Sequence, residues 1–338
     1  MQTFWNSKAS IWGLALMIAL SLAAMPSTAV AAAEGLRFLV FGDAPYTKRQ
    51  IEMLKNTVAP AIRNAESSFL IHLGDFKGGG ESCIDDFIQT RYEQLMDLRP
   101  GRVFYTPGDN EWTDCDRPYL EPPSSELESL DFLRSLILSR PLNLPDDWHY
   151  ANQEEQGFPE NARWTQGNVM FATVHMVSTN NGRRQILLDD IETALGLVDA
   201  RDKANLVWLR AAFDAAGTSD SGAVVIATQA DVTKHAGSAL CNHSLLKKCD
   251  AFAAFRDQLL DHAASFNKPV LLVHGDTNPF CLDKKFGEKT APKLWRLNAL
   301  GDGSEVDATV VTVQLDNPEE PFAIAPLMTD TWLGRTCP

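Results

Sequence analysis

Short apolar runs recur along this chain, and several give way to a glycine, an acid and then a helical pattern. Leu36–Phe41 (LRFLVF) reads as a buried strand and ends at Gly42-Asp43. Residues 48–64 carry Ile51, Leu54, Val58 and Ile62 at helical spacing and predict an amphipathic helix. Residues 68–73 (SFLIHL) predict a second strand, closing on Gly74-Asp75, and 83–98 a second helix. Residues 102–106 (RVFYT) predict a third strand, followed by Pro107-Gly108-Asp109-Asn110-Glu111. Short apolar strands separated by helical stretches indicate βαβ units and a mostly parallel sheet.

Beyond residue 120 the pattern is less regular. Residues 124–139 predict a helix with an acidic first turn, as the helix dipole favours. A strand is predicted over 168–177, ending in Ser178-Thr179-Asn180-Asn181, and a helix over 202–216. Residues 223–228 (AVVIAT) predict a strand running into Gln229-Ala230-Asp231. A helix over 250–266 precedes a strand over 269–273 (PVLLV), which runs into His274-Gly275-Asp276-Thr277-Asn278. Strands at 293–298, 306–314 and 322–325 predict a closing β-meander. With no internal repeat and no linker, 34–338 reads as one α/β domain whose sheet is covered by helices.

Composition narrows the partners. The 338 residues hold 30 Lys+Arg against 44 Asp+Glu, a formal net charge of −14. Such a balance argues against nucleic-acid binding, which needs a basic face. No stretch after the first thirty residues approaches the ~20 apolar residues of a membrane span. Within 1–33, Lys8, an apolar run from Ile11 to Met25 and small residues at Ala29 to Ala33 predict a cleaved signal peptide; an uncleaved anchor is the rival reading. Export to the periplasm or the exterior makes the six cysteines, Cys83, Cys115, Cys241, Cys249, Cys281 and Cys337, candidates for disulfides. Cys241 and Cys249 close the shortest loop. A zinc site is the alternative, but no Cys-x-x-Cys spacing occurs.

The chemistry is concentrated at strand ends. Asp43, Asp75, Asp109 and Asp276 each follow a glycine directly. In an open α/β sheet the ligand crevice lies beyond the carboxyl ends of the strands. Carboxylates converging there raise each other's pKa and are costly without a cation. A Gly-Asp pair is also ordinary turn chemistry, so one alone says little.

In order and position these residues resemble the calcineurin-like metallophosphoesterase superfamily. Its pattern is Asp-x-His, Gly-Asp, Gly-Asn-His-Asp/Glu, a lone His and Gly-His-x-His. The corresponding stretches here are Asp43-Ala44-Pro45, Gly74-Asp75, Gly108-Asp109-Asn110-Glu111, Gln229 and Gly275-Asp276-Thr277-Asn278. TPGDNEWTDC (106–115), TQAD (228–231) and LLVHGDTN (271–278) look like a divergent, exported bacterial branch. The resemblance implies a four-layer αββα fold, a β-sandwich flanked by helices, with one or two divalent ions and metal-activated water attacking a phosphoester. It implies Asp43 and Asn278 on a first metal, Asp75 bridging, and Asp109, Gln229 and Asp276 on a second.

No histidine stands at any of these ligand positions. Pro45 has no ligating side chain, and Tyr46 beside it is a substitute. The remaining carboxylate and amide oxygens suit Mg²⁺, Mn²⁺ or Ca²⁺ rather than Zn²⁺ or Fe. Asn110 replaces an acid–base histidine; an amide can donate a hydrogen bond but cannot deliver a proton. Glu111 is the other titratable side chain of that turn, as a catalytic group or a helix cap. His274, His72, Lys77 and Asn181 are candidates to orient a ligand or touch substrate. For the two histidines, packing in the core is the alternative. The reading is an exported metal-dependent phosphoesterase acting on a phosphomonoester or phosphodiester of a small phosphorylated substrate. The alternative is a weak or inactive module of the same fold that binds a cation or an anionic ligand.

Overall fold

Side chains alternate along β1 (Leu36–Phe41), and the alternation builds both sides of its sheet. Phe38 and Val40 enter a core between two sheets, whereas Leu39 and Phe41 enter a second core against helices. The computed structural model describes residues 1–3, 35–235, 239, 241, 249–303 and 306–338. Nearly all of the expected signal peptide lies outside the described residues.

One sheet has five strands in the order β12-β11-β1-β2-β3. In it β1, β2 (Leu70–His72) and β3 (Val103–Tyr105) run parallel. The hairpin β11 (Thr309–Val313) and β12 (Phe322–Pro326) adds antiparallel strands at the β1 edge. The other sheet has seven strands in the order β4-β5-β6-β7-β8-β10-β9. Its parallel centre is β6 (Val169–Thr173), β7 (Ala223–Ala227), β8 (Val270–His274) and β10 (Leu294–Asn298). Antiparallel strands β4 (Ala151–Gln153), β5 (Phe158–Gln166) and β9 (Cys281–Asp283) form its margins.

The two sheets meet face to face. Phe38, Phe69, Phe104, Trp164 and Phe171 interlock with Val225 and Leu271 between them, and Phe69 makes edge-on contacts with Phe104, Trp164 and Phe171. Helix α1 (Lys48–Met53) buries none of its residues, and the outer face of the five-stranded sheet is covered by α2 (Ala59–Asn64), α3 (Asp85–Met96) and α4 (Glu126–Ser139), through Ile62, Ile88, Tyr92, Leu95 and Leu133. A π-helical stretch, Leu54–Val58, joins α1 to α2. After the short turn α5 (Ser178–Gly182), two long helices cover the seven-stranded sheet. They are α6 (Ile191–Thr218) and α7 (Ala253–Phe266), through Trp208, Leu209, Phe213, Phe255 and Leu259. The order helix, sheet, sheet, helix is the four-layer αββα arrangement. Gly35–Pro338 forms one compact unit.

Two expectations change, and one strand was not foreseen. The closing meander does not form: β10 pairs with β8 in one sheet, while β11 and β12 pair in the other, so the chain crosses the sandwich between them. The helix expected from residue 202 starts at Ile191, where the Asp190 side chain caps it by accepting from the Thr193 N–H. Strand β5 carries buried Glu160 and Asn161, which hides its strand character in the sequence. Glu160 is paired with Arg134 and His175, and Asn161 with Gln153 and Asn205. The described cysteines form Cys83–Cys115, Cys241–Cys249 and Cys281–Cys337. No helix among the described residues is long and apolar enough to cross a membrane.

Candidate metal centre

The parallel strands of both sheets deliver their carboxyl ends to one place. Asp43 follows β1, Asp75 follows β2, Asp109 follows β3, Gln229 follows β7 and Asp276 follows β8. Asp43, Asp75 and Asp276 share a left-handed backbone, with φ of 52°, 54° and 58°. Aspartate tolerates that region better than most residues because its short side chain bonds locally. The turns also interlock. A Cβ on Gly275 would lie 2.0 Å from Oδ2 of Asp43, so only glycine allows the β8 turn to close on that carboxylate. The N–H of Asp276 then donates to Asp43 Oδ1 over 3.0 Å.

Carboxylate oxygens of Asp43, Asp75 and Asp276 all lie within 4.8 Å of one another. Burial is the main force raising each carboxyl well above the usual range. Repulsion adds to it: from Asp276 on Asp43, from Asp109 and Glu111 on Asp75, and from Asp109 and Asp302 on Asp276. Such a cluster is unfavourable as three charges and becomes favourable around a cation. The donor set is all oxygen, which fits a hard divalent ion.

Asp75 is the hub of the hydrogen bonds. Its Oδ1 accepts from the Asn110 N–H at 3.1 Å, and its Oδ2 accepts from the Tyr46 hydroxyl at 3.2 Å and from Gln229 Nε2 at 3.3 Å. Its own N–H donates to both oxygens of Glu111, at 2.9 and 3.0 Å. Glu111 is fully buried and also accepts from the Gly108 N–H and the Tyr105 hydroxyl. Expected as a catalytic group or a cap, its carboxylate is committed to clamping the Asp75 and Gly108 turns together.

Gln229 was expected to ligate through its oxygen. Instead Oε1 accepts the Ser178 N–H at 2.8 Å, and Nε2 faces Asp75 and Asp109. Asp109 is held on one oxygen by Gln229 and on the other by the Ser178 hydroxyl. Ser178 opens α5, whose Thr179, Asn180 and Asn181 all have left-handed backbones, with φ of 56°, 56° and 57°. Three consecutive residues of this kind, one of them β-branched, are strained and mark a site held by its surroundings.

The other expected residues fall in different places. Asn278 is exposed and donates to Asp302 rather than joining the acids. Asn181 points into the core, donating to Asp202 at 2.6 Å. Lys77 is buried and donates to the carbonyls of Gly78 and Glu81; burial lowers its pKa, and the charges of Glu111 and Asp75 oppose that shift. His72 accepts the Gly74 N–H on Nδ1, and burial drops its pKa to about 3, so it is a neutral brace of the Asp75 turn. His274 accepts from Arg296 on Nε2 and so carries its proton on Nδ1, facing the Gly275 carbonyl at 2.9 Å. Burial lowers its pKa to about 4. It braces the Asp276 turn.

Two residues escaped the sequence reading. Ser178 carried no signal beyond its place after a strand. Asp302 did: Gly301-Asp302 is a fifth Gly-Asp pair, following β10. Its N–H donates to the Asp43 carbonyl at 3.1 Å, and its charge raises the carboxyls of Asp43 and Asp276.

By sequence the chain matches no protein-family profile and no curated protein. Among solved structures it is similar to PhoD, with a TM-score of 0.47 and 12% identity over 88% of this chain and 69% of that one. It is also similar to the purple acid phosphatase PPD1 from yellow lupin (Lupinus luteus) seeds, with a TM-score of 0.44 and 8% identity over 89% and 54%. GAP50, the anchor in the inner membrane complex of Plasmodium, gives a TM-score of 0.40 and 11% identity over 89% and 91%.

Proposed function

We propose that this chain is an exported metal-dependent phosphoesterase of the calcineurin-like type, acting on a small phosphorylated substrate. The observation that carries the reading is the gathering of Asp43, Asp75 and Asp276, from the ends of strands in both sheets, within 4.8 Å. These three carboxylates would hold one divalent ion, Mg²⁺, Mn²⁺ or Ca²⁺, which supplies charge stabilisation at a phosphoryl group and activation of water. Tyr46 and the Asn110 N–H orient Asp75, and Glu111 sets the distance between the Asp75 and Asp109 turns. The Asn110 side chain borders the site as a hydrogen-bond donor without a proton to transfer. Three disulfides suit an oxidising compartment and support export.

One observation favours the non-catalytic alternative. With the Gln229 nitrogen facing the acids and Asn278 turned to Asp302, a second ion has few oxygen ligands. The test is to strip the purified chain with chelator and add back Mg²⁺, Mn²⁺ or Ca²⁺ while assaying phosphomonoesters and phosphodiesters. Activity restored by metal and abolished by Asp75→Ala supports the enzyme. Metal bound stoichiometrically, with no turnover on either ester class, favours the binding module.

A further inference from the structure

Beside the acid cluster lies a rim built around a fixed cation. The loop after β3 carries Arg117, whose guanidinium is held on three sides. Nε donates to Gln185 Oε1 at 3.1 Å, Nη1 donates to the Tyr119 hydroxyl at 3.0 Å, and Nη2 pairs with Asp114 at 2.5 Å. The side chain keeps 22% of its surface open. Its Nη1, the Asn110 side-chain oxygen and Asp114 Oδ2 all lie 2.7 Å from the point a Cβ on Gly79 would occupy. Asn110 in turn binds Asp75 through its N–H. Arg117 therefore stands one residue away from the candidate metal ligands, in a space that a bare glycine leaves clear.

Other cations serve this purpose less well. Lys77 is buried and occupied by two carbonyls. Lys234 is 55% exposed and meets Asp231 only at 3.8 Å, so it would lose more side-chain freedom on binding. A guanidinium fastened on three sides is already ordered and matches the geometry of a phosphoryl group.

The same rim is apolar on its outer side. Tyr119, Leu187 and Leu188 are 61%, 55% and 53% exposed. Their two segments are tied together: Arg117 bonds Tyr119 and Gln185, and the Leu187 N–H donates to Asp116. Large exposed apolar side chains grouped beside a candidate site indicate a ligand with an apolar part.

We propose that Arg117 and the Asn110 amide receive the phosphoryl oxygens of the substrate, and that Tyr119, Leu187 and Leu188 receive an aryl group esterified to it. This rests on the phosphoesterase reading. Hydrolysis forms a bond from water oxygen to phosphorus, water losing its proton to solvent. It breaks the phosphorus–ester oxygen bond, whose electron pair leaves with that oxygen. An alkoxide needs a proton on departure, which Asn110 cannot supply; a phenolate does not. Apolar rim and missing acid thus point to the same aryl class.

Inorganic phosphate titrated by calorimetry into the Mn²⁺-loaded full chain tests the anion half. Arg117→Gln is expected to weaken phosphate ~10–100-fold, the value of a charge-assisted hydrogen bond, with Mn²⁺ affinity unchanged. Gly79→Ala, which crowds Arg117, Asn110 and the Asp114 carboxylate, is expected to weaken it in the same direction. Phosphate held equally by wild type and Arg117→Gln overturns the proposal. For the apolar half, kcat/KM is compared on 1-naphthyl phosphate and glycerol phosphate. Wild type is expected to favour the naphthyl ester, and Leu187→Ser/Leu188→Ser to cut that ratio ~10-fold. A ratio untouched by the double variant overturns the aryl assignment. Phosphate bound through Arg117 with no turnover of either ester supports the anion subsite and sinks the phosphoesterase reading instead.

Discussion

The backbone N–H of Ser178 donates to Oε1 of Gln229 over 2.8 Å, and that bond decides which end of the amide faces the acids. With its oxygen so held, Gln229 offers Nε2 to Asp75 and Asp109, 3.3 Å from each. It acts as a neutral donor between two carboxylates.

Gln229→Glu replaces that donor with another acid. The metal-free protein is expected to lose about 2–4 kcal/mol, because two buried acceptors lose a partner and gain a like charge. Divalent-ion affinity is expected to rise. Thermal melting with chelator and calorimetric Mn²⁺ titration check both, and an unchanged melting temperature would sink the argument.

The acid cluster predicts a pH-dependent response to metal. The carboxyls of Asp43, Asp75 and Asp276 are raised by burial and mutual repulsion. The folded metal-free chain therefore holds more protons than the unfolded chain above pH ~4, where free aspartate ionises, and its stability falls as pH rises. A divalent ion favours the ionised form, so added Mn²⁺ should raise the melting temperature more at pH 8 than at pH 5. Its binding should also release protons, seen as a heat that depends on the buffer.

Glu111 clamps two turns, so its loss should weaken the fold as well as the site. Its carboxylate receives the N–H groups of Asp75 and Gly108 and the Tyr105 hydroxyl. Glu111→Ala is expected to cost about 3–5 kcal/mol in urea unfolding, since it strands three buried donors. Glu111→Gln retains one oxygen and should cost less. Equal stability of wild type and Glu111→Ala would show that the clamp contributes nothing.

The disulfide Cys83–Cys115 should matter to the site more than Cys281–Cys337. Both of its sulfurs lie 3.9 Å from the Asn110 carbonyl. Replacing either pair by serine should cost about 2–4 kcal/mol of stability. Only the Cys83/Cys115 replacement should also lower phosphoesterase turnover, by freeing the Asn110 turn. Matching activity losses in the two variants would contradict this.

Much of the architecture is written locally. The alternation in LRFLVF and the unbroken runs AVVIAT and PVLLV determine strands buried on both faces, because successive side chains point to opposite sides. The Gly-Asp pairs at strand ends mark the acids, since both residues suit the left-handed turn that ends such a strand. Asp302 could have been found by the same rule.

Other features depend on partners distant in the chain. β5 was illegible because buried Glu160 and Asn161 look like surface residues until Arg134, His175 and Asn205 are beside them. The separation of β10 from β11 depends on sheet pairing, which the apolar pattern of the strands leaves open. The sequence alone determined which residues are acids at strand ends. The tertiary structure decided that Asp43 and Asp276, 233 residues apart, share one site, and that Gln229 meets Asp75 and Asp109 with nitrogen. The physical reason is that periodicity specifies which way a side chain faces along its own strand. The distance between two charges, and the end an amide presents, depend on how separate strands pack.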